Sequence, residues 1–168
     1  MKPVPSLLPA PSLLPGRLPA LLRGLCLTTV FALLLGLSPM AAGASLLHLG
    51  GPMPNDLGVH DQHLAACVTP AHCSREEWPV ADPQAALAGL LPAVLALDGV
   101  AVVETSADYL HATVTSRLFG FVDDLELHAE SERGVLEARS VSRLGDSDLG
   151  VNARRLDTLR RALDSLPS

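Results

Sequence analysis

The chain has 168 residues, of which 18 are acidic and 12 basic, giving a formal net charge of −6. This length suits one ordinary domain together with a targeting segment. The acidic balance argues against nucleic-acid binding, because phosphates select a basic surface, and against electrostatic docking on anionic lipid. The sequence contains no glycine-rich nucleotide loop, so we expect no cofactor.

The first 44 residues have the three parts of a secretory signal peptide. The charges in this stretch are all positive and come from Lys2, Arg17 and Arg23. Residues 25–37 form a 13-residue apolar run, which is short compared with the ~20 residues of a membrane-spanning helix. Residues 42–44 then supply the small side chains that a signal peptidase reads.

We therefore predict that residues 1–44 are a cleaved signal and that the protein is periplasmic or secreted in a bacterium. Two alternatives stay open. A retained apolar run would anchor the protein in the inner membrane, facing the periplasm. A misassigned start, with translation beginning nearer Met40 or upstream of it, would account for the unusual proline-rich beginning.

Cleavage would leave 124 residues with a net charge of −9, because all 18 acidic but only nine of the basic residues follow position 44. A chain of this length can bury a sizeable core. Cys26 leaves with the signal, whereas Cys67 and Cys73 remain as an even pair in an oxidising compartment. We predict that these two form a disulfide.

Residues 45–80 show no sustained period, and glycine and proline recur in them, which predicts an irregular N-terminal arm. Asp82 and Pro83 then fit the N-cap and first position of a helix. An apolar stripe with helical spacing follows, although Pro92 should kink this helix or end it early. The stripe consists of Leu87, Leu90, Leu91, Val94 and Leu95.

Four strand-like runs come next, and their connections include short segments that suit hairpins. The runs are residues 100–104, 109–116, 121–127 and 135–141.

A second helix closes the chain, with Asn152 as its predicted N-cap and Leu156, Leu159 and Leu163 on one face. The order of elements predicts a single α+β domain over residues 81–168. In it, an antiparallel sheet of about four strands is flanked on one face by an N-terminal and a C-terminal helix, with the irregular arm preceding them.

Several segments of the chain form recognisable motifs. They are residues 108–112 (DYLHA), 116–126 (SRLFGFVDDLE) and 139–152 (RSVSRLGDSDLGVN), with Leu57, Gly58, Val59, Leu64, Cys67 and Cys73 upstream. Together they resemble the domain of unknown function 1499 family over about residues 54–163. The resemblance implies a bacterial or plastid protein, often with a signal or membrane segment, and it carries no established catalytic residues. This chain departs from the family's pattern at His72, Arg75, Val141 and Asp146.

Residues 139–155 are the richest polar segment and the candidate binding site. Hydroxyl and guanidinium groups are expected to converge there on the start of the last helix, where free N–H groups and the helix dipole favour an anion. The residues that would hold a small anionic ligand are Arg139, Ser140, Arg143, Ser147, Asn152 and Arg155.

An internal ion-pair network is the alternative for the same side chains, and it is the one we favour. Asp123, Asp124 and Glu126 lie on the neighbouring predicted strand. Their carboxylates could neutralise Arg139 and Arg143 and so pin the loop without any ligand.

Metal binding is not predicted. Asp123 and Asp124, with Asp146 and Asp148, could offer carboxylates to a hard cation, but adjacent strand residues point to opposite faces. A second group matches no structural zinc pattern. It consists of His60, His63, Cys67, His72 and Cys73.

The sequence contains candidate nucleophiles but no recognisable arrangement of a nucleophile with its base. Ser140, Ser142 and Ser147 lack the glycine-flanked turn of a nucleophile elbow. His111 falls on the polar face of its strand and is expected to be solvated. The catalytic residues, if any, are unknown from the sequence.

Three functions follow. The first is a non-catalytic exported module that binds a small anionic ligand, a lipid head group or a partner near the inner membrane. The second is a hydrolase or transferase that uses residues 139–155 with Asp123 or Asp124 as acid or base. The third is a structural accessory domain. The sequence identifies no particular partner.

Cleavage of the signal can be tested directly. Because the apolar run is short and small residues follow it, N-terminal sequencing of the exported protein should begin at or near Ser45. Recovery of an intact N-terminus in the membrane fraction would contradict cleavage and favour the anchor.

Overall fold

A computed structural model describes residues 49–167, so the predicted signal lies outside the described residues. The elements, in chain order, are β1 (Val59–His60), β2 (His63–Leu64), β3 (Cys73–Pro79), α1 (Pro83–Leu95), β4 (Val100–Thr105), β5 (Tyr109–Thr115), β6 (Val122–Glu130), β7 (Val135–Ser142) and α2 (Val151–Asp164).

Within residues 49–167, five strands form one antiparallel sheet in the order β3-β7-β6-β5-β4, and β1 and β2 form a separate two-stranded hairpin. The predicted α+β class is confirmed, and the sheet has one strand more than expected. Neither helix in this part of the chain is long and apolar enough to cross a bilayer.

The additional strand is β3, which lies where the irregular arm was predicted. It pairs with β7 along its whole length, from Cys73 opposite Val141 to Pro79 opposite Val135. Trp78 lies in this strand and is almost completely buried in the core. Charged residues on both faces of β3 hide the period of two that would have identified it.

Helix α1 begins as predicted. Asp82 is its N-cap, and one carboxylate oxygen accepts the Ala85 N–H at 3.0 Å. The predicted early end is wrong, because the helix continues through Pro92 to Leu95. Proline at this position removes the hydrogen bond to the carbonyl one turn back and crowds that carbonyl, but the helix continues for three more residues before it ends.

Helix α2 begins differently from the prediction. Its N-cap is Gly150, with a φ of 77°, and Asn152 is the second helical residue. Asp148 supplies the capping oxygens instead, accepting the N–H groups of Gly150 and Asn152 at 2.8 Å each. These bonds lower the pKa of Asp148 below its usual range, although partial burial opposes them. The Asn152 side chain is therefore available for another role.

The hydrophobic core lies between one face of the sheet and the two helices. Alternate residues of the central strands supply the sheet side, as a half-buried strand pattern requires. The principal members are Leu90 and Val94 of α1, Leu110, Leu125, Leu127 and Leu136 of the sheet, and Leu156 and Leu159 of α2.

The arm, residues 49–72, precedes β3 and is joined to it by a disulfide between Cys67 and Cys73, whose Cα atoms are 5.5 Å apart. The β1–β2 hairpin belongs to the arm. Its turn residues Asp61 and Gln62 both have positive φ, as a tight two-residue turn of this hand requires.

The disulfide should be measurable in the native protein. Mass spectrometry without reductant should show both thiols blocked. A Cys67→Ser/Cys73→Ser variant should lose about 2 kcal/mol in denaturant unfolding, because the small closed loop no longer restricts the unfolded chain. Two free thiols in the native protein would contradict the pairing.

Candidate functional site

The face of the sheet that points away from the helices is charged and yet buried. We call it the charged face. Its buried polar and charged members are Tyr109, His111, Asp124, Glu126, His128, Glu130, Glu137 and Arg139. The expectation that His111 is solvated is therefore wrong. Because unpaired buried charges are very unfavourable, the partners of these groups decide what the face can do.

Asp124 is fully buried and is held from two sides. Arg143 donates from Nε and Nη2 to the two carboxylate oxygens, at 2.8 Å each, and His111 Nε2 lies 2.8 Å from one of them. Burial alone would raise the pKa of Asp124, but the bonds from Arg143 and His111 outweigh it and hold the pKa below its usual range. The carboxylate is therefore ionised at neutral pH.

Glu126 is the centre of the second cluster. Arg139 donates to one carboxylate oxygen at 2.8 Å, while the Tyr109 hydroxyl and the Gly58 N–H donate to the other at 2.8 and 2.7 Å. Burial and the neighbouring Glu126 carboxylate raise the pKa of Tyr109. Arg139 also donates to Asp56 of the arm at 2.8 Å.

Glu137 forms the third cluster. Arg75 donates to it at 2.6 Å, His63 Nδ1 lies 2.9 Å from it, and the Leu64 N–H donates to it at 2.7 Å. The carboxylate thus binds the arm to the sheet through both a side chain and the backbone.

His63, Glu130 and Glu137 come close enough together to hold a metal ion. Arg133 Nη1, however, lies 2.8 Å from Glu130, 3.5 Å from His63 Nδ1 and 3.6 Å from Glu137. The guanidinium group of Arg133 therefore lies between the three side chains that could bind a metal ion. Its positive charge disfavours binding of a metal cation there.

The structure does not bring the predicted binding residues together. Arg139 and Arg143 lie on the charged face, whereas Ser140, Asn152 and Arg155 lie on the side of the sheet that faces the helices. Adjacent strand residues point to opposite faces, and the sheet therefore divides the candidate site into two.

The helix-side group is bonded to itself. Arg155 donates to Ser140, Asn152 and Asp123 at 2.6, 2.7 and 2.7 Å. Asn152 also donates to the Ser142 hydroxyl at 2.9 Å and to the His72 carbonyl at 3.0 Å. This network connects α2 to the sheet and to the arm and leaves little capacity for a ligand.

The remaining predicted residues have different positions. Ser147 is exposed in the β7–α2 loop and accepts the Leu149 N–H at 3.3 Å. Within the expected ion-pair network, Arg143 and Asp124 pair with each other. Arg139 pairs with Glu126 and Asp56, and Asp123 pairs with Arg155.

A cleft of about 470 Å³ lies between the arm and β7. Arg139, Arg143 and His72 are among its polar residues, and Asp56 contributes a carboxylate. The walls are largely apolar and include Pro52, Met53, Pro54, Val68 and Val141.

The sequence reasoning missed Asp56 as a site residue and considered His72 only as a metal ligand. Glu126 was expected to help neutralise the arginines, and it shares strand parity with Asp124, so the two must lie on the same face. No signal in the sequence indicates Asp56, since it is separated from Arg139 by 83 positions and lies in a segment without a period.

The fold and the site together define a single α+β domain with a buried charged sheet face and an arm-bounded cleft. Comparison with known families finds that residues 53–163 match the family described as a protein of unknown function (DUF1499). The chain belongs to this family, as the motifs suggested. A comparison with curated proteins finds no match.

Loss of Arg143 tests the buried pair. Arg143→Ala should cost roughly 3–5 kcal/mol in the free energy of unfolding, because it removes the main partner of a fully buried carboxylate. Arg160→Ala is the matched control: Arg160 pairs with Asp164 on the surface, and its loss should cost ~1 kcal/mol or less.

The loss of stability caused by Arg143→Ala should depend on pH. The pKa of Asp124 is depressed in the folded state, so its stabilising contribution is present above the unfolded-state value of ~3.9 and is lost as pH falls through the folded pKa. The difference between wild type and Arg143→Ala should therefore shrink in acid. A melting temperature equal to wild type at pH 7 would overturn the buried-pair interpretation.

Proposed function

We propose that this protein is a non-catalytic exported binding module that takes a small anionic ligand in the cleft between the arm and β7. The observation that carries the proposal is the presence of Arg139, Arg143 and His72 together in one cleft with apolar walls. Ligand pockets commonly combine mostly apolar walls with a few well-placed polar groups.

Asp56 shows where the anion would bind. Its side chain is 43% exposed, whereas that of its partner Arg139 is only 3% exposed. A ligand carboxylate or phosphate that replaced Asp56 would accept the same hydrogen bond from a buried guanidinium. The displaced aspartate could turn to water, and no charge would be left buried without a partner.

The walls of the cleft indicate the rest of the ligand. Met53 and Val68 are strongly exposed at its edge, and two prolines of the arm and Val141 of β7 continue the apolar surface. An anion with an apolar portion would cover these side chains and gain from their removal from water. The proposed ligand class is therefore a small amphiphilic anion.

Catalysis is the weaker alternative. A hydrolase or transferase would need a carboxylate able to carry a proton near neutral pH. Among the described carboxylates with a displaced pKa, Glu77, Asp124 and Asp148 are all lowered. Asp123 and Asp124 are also both engaged by arginine.

A structural accessory role is the other alternative. It is supported by the helix-side network, in which Ser140, Asn152 and Arg155 bind one another. Such a domain would display its surface to a partner and would leave the cleft without a ligand.

Asp56→Asn tests the binding proposal. The substitution keeps the shape of the side chain but removes the internal carboxylate that competes for Arg139. Octyl phosphate should therefore bind about tenfold more tightly to Asp56→Asn than to wild type by isothermal titration calorimetry. Inorganic phosphate should bind more weakly, because it cannot cover the apolar walls.

Two controls accompany this measurement. Asp157→Asn removes one exposed carboxylate on α2, away from the cleft, and should leave the affinity unchanged. Octanol has the same apolar chain without the anion and should bind little. Equal affinity of wild type and Asp56→Asn for octyl phosphate, or binding of octanol as tight as octyl phosphate, would contradict an anion site at Arg139.

A further inference from the structure

One end of the sheet collects loops from most of the chain. We call it the loop end, and it comprises residues 49–53, 67–72, 95–99, 116–121 and 143–151. Three backbone hydrogen bonds place these loops side by side: Thr115 to Gly99 at 2.9 Å, Arg143 to Val122 at 3.0 Å, and Asp148 to Ala71 at 2.9 Å.

Large exposed hydrophobic side chains are concentrated at the loop end. Ten of them lie there, whereas the others among the described residues are Val59, Val102 and Val103. Val68 and Leu149 are 92% and 84% exposed. Soluble domains rarely expose many such side chains together without a binding partner. The ten are Leu49, Met53, Val68, Leu95, Leu118, Phe119, Phe121, Leu144, Leu149 and Val151.

Local hydrogen bonds hold the loops in these conformations. In the β5–β6 connection, the Ser116 carbonyl and hydroxyl accept the N–H groups of Gly120 and Phe121 at 3.0 Å each. The rings of Phe119 and Phe121 lie 5.8 Å apart and remain substantially exposed. In the β7–α2 loop, Arg154 donates to the Leu149 carbonyl at 2.9 Å.

The described chain enters the domain at the same end. Gly51, with a φ of 66°, lies so close to Leu144 that a Cβ atom would come within 2.6 Å of its Cγ. The apolar run at residues 25–37 precedes Leu49 by only eleven residues, which can span at most roughly 40 Å. A bilayer that held this run would therefore lie within reach of the loop end.

We propose that the loop end is a membrane-contacting surface that inserts its Leu, Phe and Val side chains into the interfacial region of a lipid bilayer. The charges favour a hydrophobic mode of contact. Residues 49–53 and 67–72 contain no Asp, Glu, Lys or Arg, and the other three segments of the loop end carry three aspartates and two arginines, so the surface has no net positive charge to attract anionic lipid. Contact should therefore depend on apolar area and little on anionic lipid. This inference does not rest on the proposed ligand, although Met53 and Val68 border both surfaces.

Tryptophan fluorescence with brominated lipid tests the proposal on the full chain. Trp78 is the sole native tryptophan and is only 2% exposed, so it gives a constant background. Phe119→Trp places a probe at the loop end, and Val103→Trp places the matched control on the exposed edge strand β4. Each variant is mixed with vesicles of brominated phosphatidylcholine, with and without phosphatidylglycerol.

The expected result is a blue shift and loss of most of the added emission for Phe119→Trp, with little change for Val103→Trp and little effect of phosphatidylglycerol. Two results would overturn the proposal. In one, the Phe119→Trp protein sediments with the vesicles but its added emission is not quenched. In the other, the protein does not bind the vesicles and stays in the supernatant. An emission change that follows protein concentration without lipid, together with dimerisation in sedimentation equilibrium, would assign the surface to a second copy of the chain instead.

Discussion

Three fully buried carboxylates, Asp124, Glu126 and Glu137, set the conditions that the rest of the domain must satisfy. Each lies on the sheet face that carries no helix, and each would be strongly destabilising without a partner. The partners come from β3, β5 and β7, from the loop that follows β7, and from the arm, whose Gly58 and Leu64 N–H groups bind carboxylate oxygens directly. The arm is thus part of the folded unit, because the sheet's own acids require its backbone donors.

The helices and strands β4 to β7 could be predicted, because the helices and the three central strands have apolar core sides and the edge strand β4 is rich in β-branched residues. β3 and the burial of His111 could not be predicted. β3 carries charges on both faces, from Arg75, Glu76 and Glu77, so it shows no period of two. β5, with His111 on its outer face, has the pattern of a strand that is solvated on that face. Only the tertiary structure shows that the arm and oppositely charged side chains cover this face of the sheet and exclude water from it. Asp124 and Arg143 both belong to the ion-pair network expected from the sequence, since Arg143 directly follows β7 and Asp124 lies on the neighbouring strand β6.

Strand parity divides the predicted binding residues into two groups. Arg139 and Ser140 are consecutive in β7 and must face opposite sides of the sheet. Ser140 therefore joins Asn152 and Arg155 beneath α2, and Arg139 joins the cleft. The two groups differ in their chemistry. The residues beneath α2 hydrogen-bond to one another and hold the helix against the sheet. In the cleft, the partly exposed carboxylate of Asp56 could be replaced by the anionic group of a ligand.

The consecutive pair Asp123 and Asp124 has a consequence for how β6 can be aligned. Asp123 binds Arg155 beneath the helix, and Asp124 binds Arg143 on the opposite face. A slip of β6 by one residue would turn Leu125 and Leu127 toward the arginines of the charged face. It would also place Asp124 and Glu126 in the hydrophobic core between the sheet and the helices. Such a misaligned sheet would bury acids without cations and expose leucines to guanidinium groups. The two consecutive aspartates therefore oppose a one-residue slip of β6 and fix which of its faces meets the helices.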